Sequence, residues 1–129
     1  MKIEHFCGIK YKILDKSRIQ KYVISIANKE WEKSDFEKYG NDLQLKFILK
    51  KVDLSKIKPN KKLLKTHEFK KDLGKRIKKV RGLISTDKSI PPLILRGKDL
   101  LIFDGYARFH VLRELGIKKC LAYVGKNSR

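Results

Sequence analysis

Within IFDGYARFHVLRELG, residues 102–116, an acid, a glycine and an arginine stand where one pattern gives way to another. Ile102 and Phe103 end an apolar strand, and from Gly105 onward Ala107, Val111, Leu112 and Leu115 recur at helical spacing as a buried face. The first turn of a helix carries backbone N–H groups without helical partners at the positive end of its dipole, a natural place for phosphate. Gly105 lets a ligand approach the backbone. Arg108 falls in the middle of the apolar arc, and a guanidinium keeps its charge, so it requires an anion or a way out at the helix end.

The candidate nucleotide or phosphate site is therefore Gly105, Tyr106, Ala107 and Arg108. The anion facing Arg108 is either a ligand or a carboxylate of the chain, Asp104 or Glu68. Asp104 would repel a bare phosphate, a conflict that a divalent metal on Asp104, or Arg108 itself, would remove. Tyr106 either packs or covers a base. His110 lies on the outer face and has no assigned role.

A second candidate is electrostatic. THEFKKDLGKRIKKVRGLI reads as a helix with Phe69, Leu73, Ile77 and Val80 on one face and Gly82 closing it in a left-handed conformation. Lys71, Lys75 and Lys78 lie nearly opposite that face, with Lys79 at their edge. Like charges four residues apart weaken a helix by about 0.2–0.5 kcal/mol per pair, and a polyanion along this face relieves that repulsion. Residues 46–82 hold fifteen Lys or Arg against three acids. Lysine-rich surfaces favour sequence-independent contacts to the phosphate backbone, so nucleic acid, DNA first, is the expected partner.

The whole chain agrees with that sign. Its 129 residues include 33 Lys and Arg against 14 Asp and Glu, a formal net charge of +19. This length suits one domain. Cys7 and Cys120 do not make a disulfide framework, and His5-x-Cys7 lacks a second ligand pair for zinc. No long apolar run suggests a signal peptide or membrane span, so a cytoplasmic protein without a membrane partner is expected. Oligomeric state is not legible.

The elements that must position these residues follow from periodicity. HFCGIKYKIL alternates weakly as a strand. SRIQKYVISIANKEWEKSDFEKYG is helical in character, with Ile19, Val23, Ile26 and Ala27 facing a core that Trp31 and Phe36 cap, a stacking platform being the alternative for the two rings. A turn at Gly40-Asn41-Asp42 divides a helical N-terminal extension, 1–44, packed on the core, from a domain over 45–129. Beyond it, LQLKFILKKVDL forms a strand and Pro59-Asn60 opens a lysine-rich loop. PLIL and LLIF pair across a short turn, and CLAYVG is the last strand. The fold class is α+β, a small mixed sheet with packed helices.

The order VDLSKIKPN, VRGLI, PPLIL, LLIFDG, GYARFHVLRELG, CLAYVG resembles the superfamily of ParB N-terminal domains and sulfiredoxins over roughly residues 45–125. The resemblance implies a mixed-sheet α+β fold with a phosphate site at the Gly105 turn. ParB-type partition proteins carry Gly-Glu-Arg-Arg there and bind cytidine triphosphate; here the glycine and second arginine are kept, as Gly105 and Arg108. These 129 residues contain no helix-turn-helix domain of the kind that reads DNA in partition proteins. Sulfiredoxins have Gly-Cys-His-Arg, and Tyr106 stands at the position of their cysteine, which argues against sulfinic-acid reduction.

Free serine kinases, a third branch, have Asp-Gly-His-His-Arg, matched by Asp104, Gly105 and Arg108, with an upstream glutamate whose counterpart is Glu68. The resemblance thus implies a ParB-like nucleic-acid-binding domain with a nucleotide pocket for ATP, ADP or CTP with Mg2+. The alternative is a nucleotide- and metal-dependent small-molecule phosphotransferase, with Glu68 and Asp104 catalytic and Asp104 the metal ligand. A nuclease or a non-catalytic partner subunit are further readings.

Overall fold

The weak alternation at the N-terminus is enough to form a hairpin because the residues between its arms accept a primed turn. In the computed structural model, which describes residues 1–126, β1 (Lys2–Phe6) and β2 (Ile9–Ile13) pair antiparallel with Phe6 opposite Ile9. Cys7 and Gly8 both have positive φ, 51° and 79°, the hand that matches strand twist in a two-residue loop. Next come α1 (Lys16–Glu30), with Ile19, Val23 and Ala27 buried, and α2 (Lys33–Tyr39). The latter starts in a reciprocal capping box between Glu32 and Asp35. Trp31 meets Phe36 and Phe103 edge-on, with ring centres 5.4 and 5.1 Å away.

β3 (Lys46–Asp53) follows a 3-10 turn over Gly40–Gln44, and a second such turn, Leu54–Lys56, carries the chain on. After Pro59 the lysine-rich loop gives way to a short helix, α3 (Lys61–Leu64), because the Asn60 side chain accepts the backbone N–H of Lys62 at 3.1 Å. Then come α4 (His67–Ser85), β4 (Leu93–Leu95), β5 (Ile102–Asp104), α5 (Tyr106–Glu114) and β6 (Lys119–Lys126). The main sheet has the order β3-β6-β4-β5, with only β4 and β6 parallel, so its class is mixed α+β as expected.

Strand β6 is central, and Cys120–Gly125 are all buried, which explains its unbroken run of small and apolar residues. Alternate residues of β4 serve opposite faces. Ile94 packs with Ile19, Val23, Ala27, Phe47 and Tyr123 beneath α1, while Leu93 and Leu95 join Phe109 and Leu112 of α5. Outside α5 lies α4, with Val80 against Ala107 and Val111.

The stretch HFCGIKYKIL, expected as a strand, holds the turn and second arm of the hairpin, and its Ile9, Tyr11 and Ile13 share one core with Leu54 and Leu121 of the later part. Two expectations are corrected. Gly82 does not close α4, which runs three residues further while Leu83 and Ile84 still pack on the core; Asp87 takes the left-handed conformation instead, with φ 57°. Leu115 is 53% exposed rather than buried, because the helix ends there and Gly116 turns the chain away. Phe109 takes its place in the core, since α5 is sandwiched between the sheet and α4 and needs a wider apolar arc than one stripe.

Burial also separates the two cysteines. Cys7 is exposed, whereas Cys120 is buried and its thiol is pushed up to about 12, chiefly by desolvation. Alkylation of the native protein at neutral pH is expected to label one thiol per chain, at Cys7, and two after unfolding. Rapid native labelling of Cys120 would contradict the packing of β6. Among the described residues no helix is long and apolar enough to cross a membrane.

Candidate phosphate and nucleic-acid site

The turn after β5 brings Asp104 and Arg108 together. Gly105 adopts φ 114° and ψ 27°, and a Cβ there would lie 2.9 Å from Leu93 Cγ and 3.0 Å from Arg108 Nη2. Both conformation and space therefore demand glycine. The room that glycine leaves is filled by the guanidinium of Arg108. Its Nη2 donates to Asp104 Oδ2 at 2.9 Å and, at 3.5 Å, approaches the Pro92 carbonyl. The two side chains are 14% and 17% exposed, so water screens the pair poorly. Arg108 Nε is buried without a hydrogen-bond partner.

Around the pair, the first turn of α5 leaves backbone N–H groups without helical partners. The first N–H with a helical acceptor is that of Phe109, bonded to the Gly105 carbonyl at 2.8 Å, and no side chain caps the helix. Tyr106 is fixed by packing. Its hydroxyl accepts the Asn60 N–H at 2.9 Å, its ring meets Phe69 edge-on at 5.1 Å, and burial pushes its phenol up to about 12. Tyr22 of α1 is an addition that helical periodicity did not single out. Burial raises its phenol above the usual range, and it lies within electrostatic reach of both Arg108 and Asp104.

Glu68 occupies the exposed first turn of α4 and forms no hydrogen bond or ion pair with Asp104 or Arg108. Its neighbour Phe69, by contrast, touches Tyr106. His110 is exposed, 3.7 Å from Glu114. Among the described residues, no three His, Cys, Asp or Glu side chains gather into a metal-binding group.

On α4 the charges sort by type. Arg81 Nε donates to Glu114 at 2.8 Å and Arg76 pairs with Glu30 at 3.3 Å, tying the helix to its neighbours. Lys71, Lys75, Lys78 and Lys79 are all exposed, and none takes part in an ion pair among the described residues. The helix is thus held by its arginines and its apolar face, leaving the lysines to solvent or a ligand.

A further group of lysines escapes the linear reading. Lys50, Lys51, Lys56 and Lys119 line an open cleft of about 280 Å³. The charge excess of residues 46–82 hinted at the first three, but nothing local links them to residue 119.

No family model matches the chain. No curated protein matches it either. It is similar to a solved structure of a pNOB8-like ParB N-domain in a C2221 crystal form, at 24% identity over 63% of this chain and 30% of that one, with a TM-score of 0.46. A second structure of the pNOB8-like ParB N-domain matches at 27% identity, over 64% of this chain and 30% of the other, with a TM-score of 0.39. The chain thus spans less than a third of the length of either solved chain.

Proposed function

We propose that this domain binds the phosphate backbone of nucleic acid through the outer face of α4, without reading base sequence. One observation carries the reading: Lys71, Lys75, Lys78 and Lys79 project from one helix with no ion-pair partner among the described residues, while both arginines of that helix have one. A face of like charges four residues apart destabilises its own helix, and a polyanion removes that cost. Lysines are point charges suited to phosphate; the planar forks of Arg76 and Arg81, the kind of group that reads guanine edges bidentately, are engaged by Glu30 and Glu114. The test is the salt dependence of duplex DNA binding in a variant lacking three of these lysines.

The turn at Gly105 is the second part of the proposal, a site for a nucleotide phosphate. The free N–H groups of α5 and the unpartnered Arg108 Nε support it. Asp104 already neutralises Arg108, so a phosphate must enter with its own counter-charge. Mg2+ meets that need, since it is commonly held by one or two carboxylates together with substrate phosphates. Asp104 would be its protein ligand and Arg108 would hold the phosphate; the ion would supply charge neutralisation.

Thermal unfolding with ATP, ADP and CTP in the presence of Mg2+, against inorganic triphosphate, tests this part. One nucleotide is expected to raise Tm beyond the triphosphate control in wild type and not in Arg108→Ala. Equal responses to all four, unchanged by the substitution, would leave Arg108 as a tie between α5 and β5 and remove the pocket. Among the described residues Glu68 makes no hydrogen bond or ion pair with Asp104 or Arg108, so binding is preferred here to phosphoryl transfer.

A further inference from the structure

We propose that the cleft beside β3 is a second, separate site that binds a phosphate monoester of mononucleotide size. It lies where β3 turns into the 3-10 segment that crosses towards the β4–β5 turn, and its volume, about 280 Å³, is near the lower end of the usual range for small-molecule sites, roughly 300 Å³. Four lysines line it, Lys50, Lys51, Lys56 and Lys119, all exposed. Lys50 and Lys119 have no ion-pair partner among the described residues, whereas the Lys51 ammonium stands over the Phe6 ring of β1, 5.1 Å from its centre. The single acid is Asp53, whose carboxylate is 3.8 Å from Lys56. The cleft is therefore cationic after its one internal neutralisation.

The rest of the lining defines the ligand's other half. Val52, Leu100 and Val124 supply aliphatic surface, and no aromatic side chain is present. Such a site gives dispersion contact to a sugar or base without a stacking platform. An anion with a compact organic body fits both parts, whereas inorganic phosphate would satisfy only the lysines. A monoester is favoured over a diester because its second ionisation, near pH 6, gives it almost twice the charge at neutral pH. The expected ligand is a 5′-phosphorylated nucleoside with little base preference, either free or as the 5′ end of a strand. None of these residues belongs to α4 or to the Gly105 turn, so this proposal stands or falls apart from the preceding one.

The experiment is calorimetric titration of the full chain with AMP, CMP, adenosine and inorganic phosphate. A parallel anisotropy titration uses short single strands carrying a 5′-phosphate or a 5′-hydroxyl. AMP and CMP are expected to bind alike and at least tenfold tighter than adenosine or phosphate. Lys50→Gln/Lys119→Gln should weaken both mononucleotides at least tenfold, while Lys2→Gln/Lys12→Gln/Lys16→Gln, which removes three exposed lysines outside the cleft, leaves them unchanged. Preference for the 5′-phosphorylated strand in wild type, lost in the Lys50/Lys119 variant, would identify a strand end as the source; equal affinity for the two strands, with the mononucleotides still bound, would identify the free nucleotide. Mononucleotide binding that is absent, equal to that of inorganic phosphate, or unaffected by the Lys50/Lys119 substitutions overturns the proposal. Both lysines are exposed, and an unchanged Tm of the variant shows that the fold is not what was lost.

Discussion

Replacing Lys71, Lys75 and Lys78 with glutamine is expected to weaken duplex DNA binding on the order of a hundredfold at 0.1 M salt and to flatten its salt dependence. Each phosphate neutralised releases condensed counterions, contributing about 0.9 to the slope of log K against log salt, so three lost contacts lower it by roughly 2.7. The fold should not suffer, because the substitutions remove the i,i+4 repulsion between Lys71 and Lys75 and leave Leu73, Ile77 and Val80 packed against α5. A charge-matched control, Lys2→Gln/Lys12→Gln/Lys16→Gln, removes three exposed lysines from outside α4. Anisotropy titrations from 50 to 300 mM salt separate the cases. Equal loss in both triple variants would mean that net charge, and not this face, holds the nucleic acid.

The largest expected effect on stability lies far from any polar site, at Gly97. A Cβ at this residue would stand 1.6 Å from the Gly125 carbonyl oxygen and 2.8 Å from its carbon, and both are backbone atoms. A flexible side chain can swing away from such a clash, but a strand in the middle of a sheet cannot. Gly125 itself is held between Gly97 and the ring of Phe47, 3.2 Å from where its own Cβ would be. Gly97→Ala must therefore push the β4–β5 turn off β6, at a cost of at least about 3 kcal/mol, the upper part of the range for overpacking.

Gly74→Ala makes the opposite comparison. It lies inside α4 with nothing within 4 Å of its would-be Cβ, so the helix should gain about 0.8–1.0 kcal/mol. Urea unfolding of the two variants measures both. A Gly97→Ala protein as stable as wild type would show that the close approach of these two backbones is not required.

The distinction between Gly97 and Gly74 is invisible in a linear reading, where both are glycines in charged surroundings. The same limit governs the candidate site. Local order was legible: the stripe Ile19-Val23-Ala27, the Phe69-to-Val80 face of α4, the β4–β5 pair and the glycine-started helix all follow from periodicities of 3.6 and 2. So was the placement of Arg108 near the apolar face of α5. Its partner was narrowed only to a ligand, Asp104 or Glu68, and the structure selects Asp104. Asp104 is four residues away through a strand end and a left-handed glycine, and only the backbone of Gly105 decides whether a guanidinium or a ligand fills the space beside it. The misplacement of Leu115 and the omission of Phe109 have a related cause, since a helix packed on two sides buries an arc that one-sided periodicity underestimates.

What the sequence determined by itself was the sign and density of charge, the faces of its helices and the residues able to attract phosphate. These are properties of residue type and short-range spacing, which any chain conformation with that local geometry preserves. Tertiary structure alone decided the Asp104–Arg108 pair, the neutralisation of Arg76 and Arg81 against Glu30 and Glu114, and the cleft that unites Lys50 and Lys56 with Lys119. Apart from the first, each joins residues more than thirty positions apart. Antiparallel pairing of β3 with β6, which sets Asp53 opposite Lys119, and the packing of α4 on α5 bring them within reach. Pairings of that range depend on register and on which surfaces are buried together, and no local pattern encodes them.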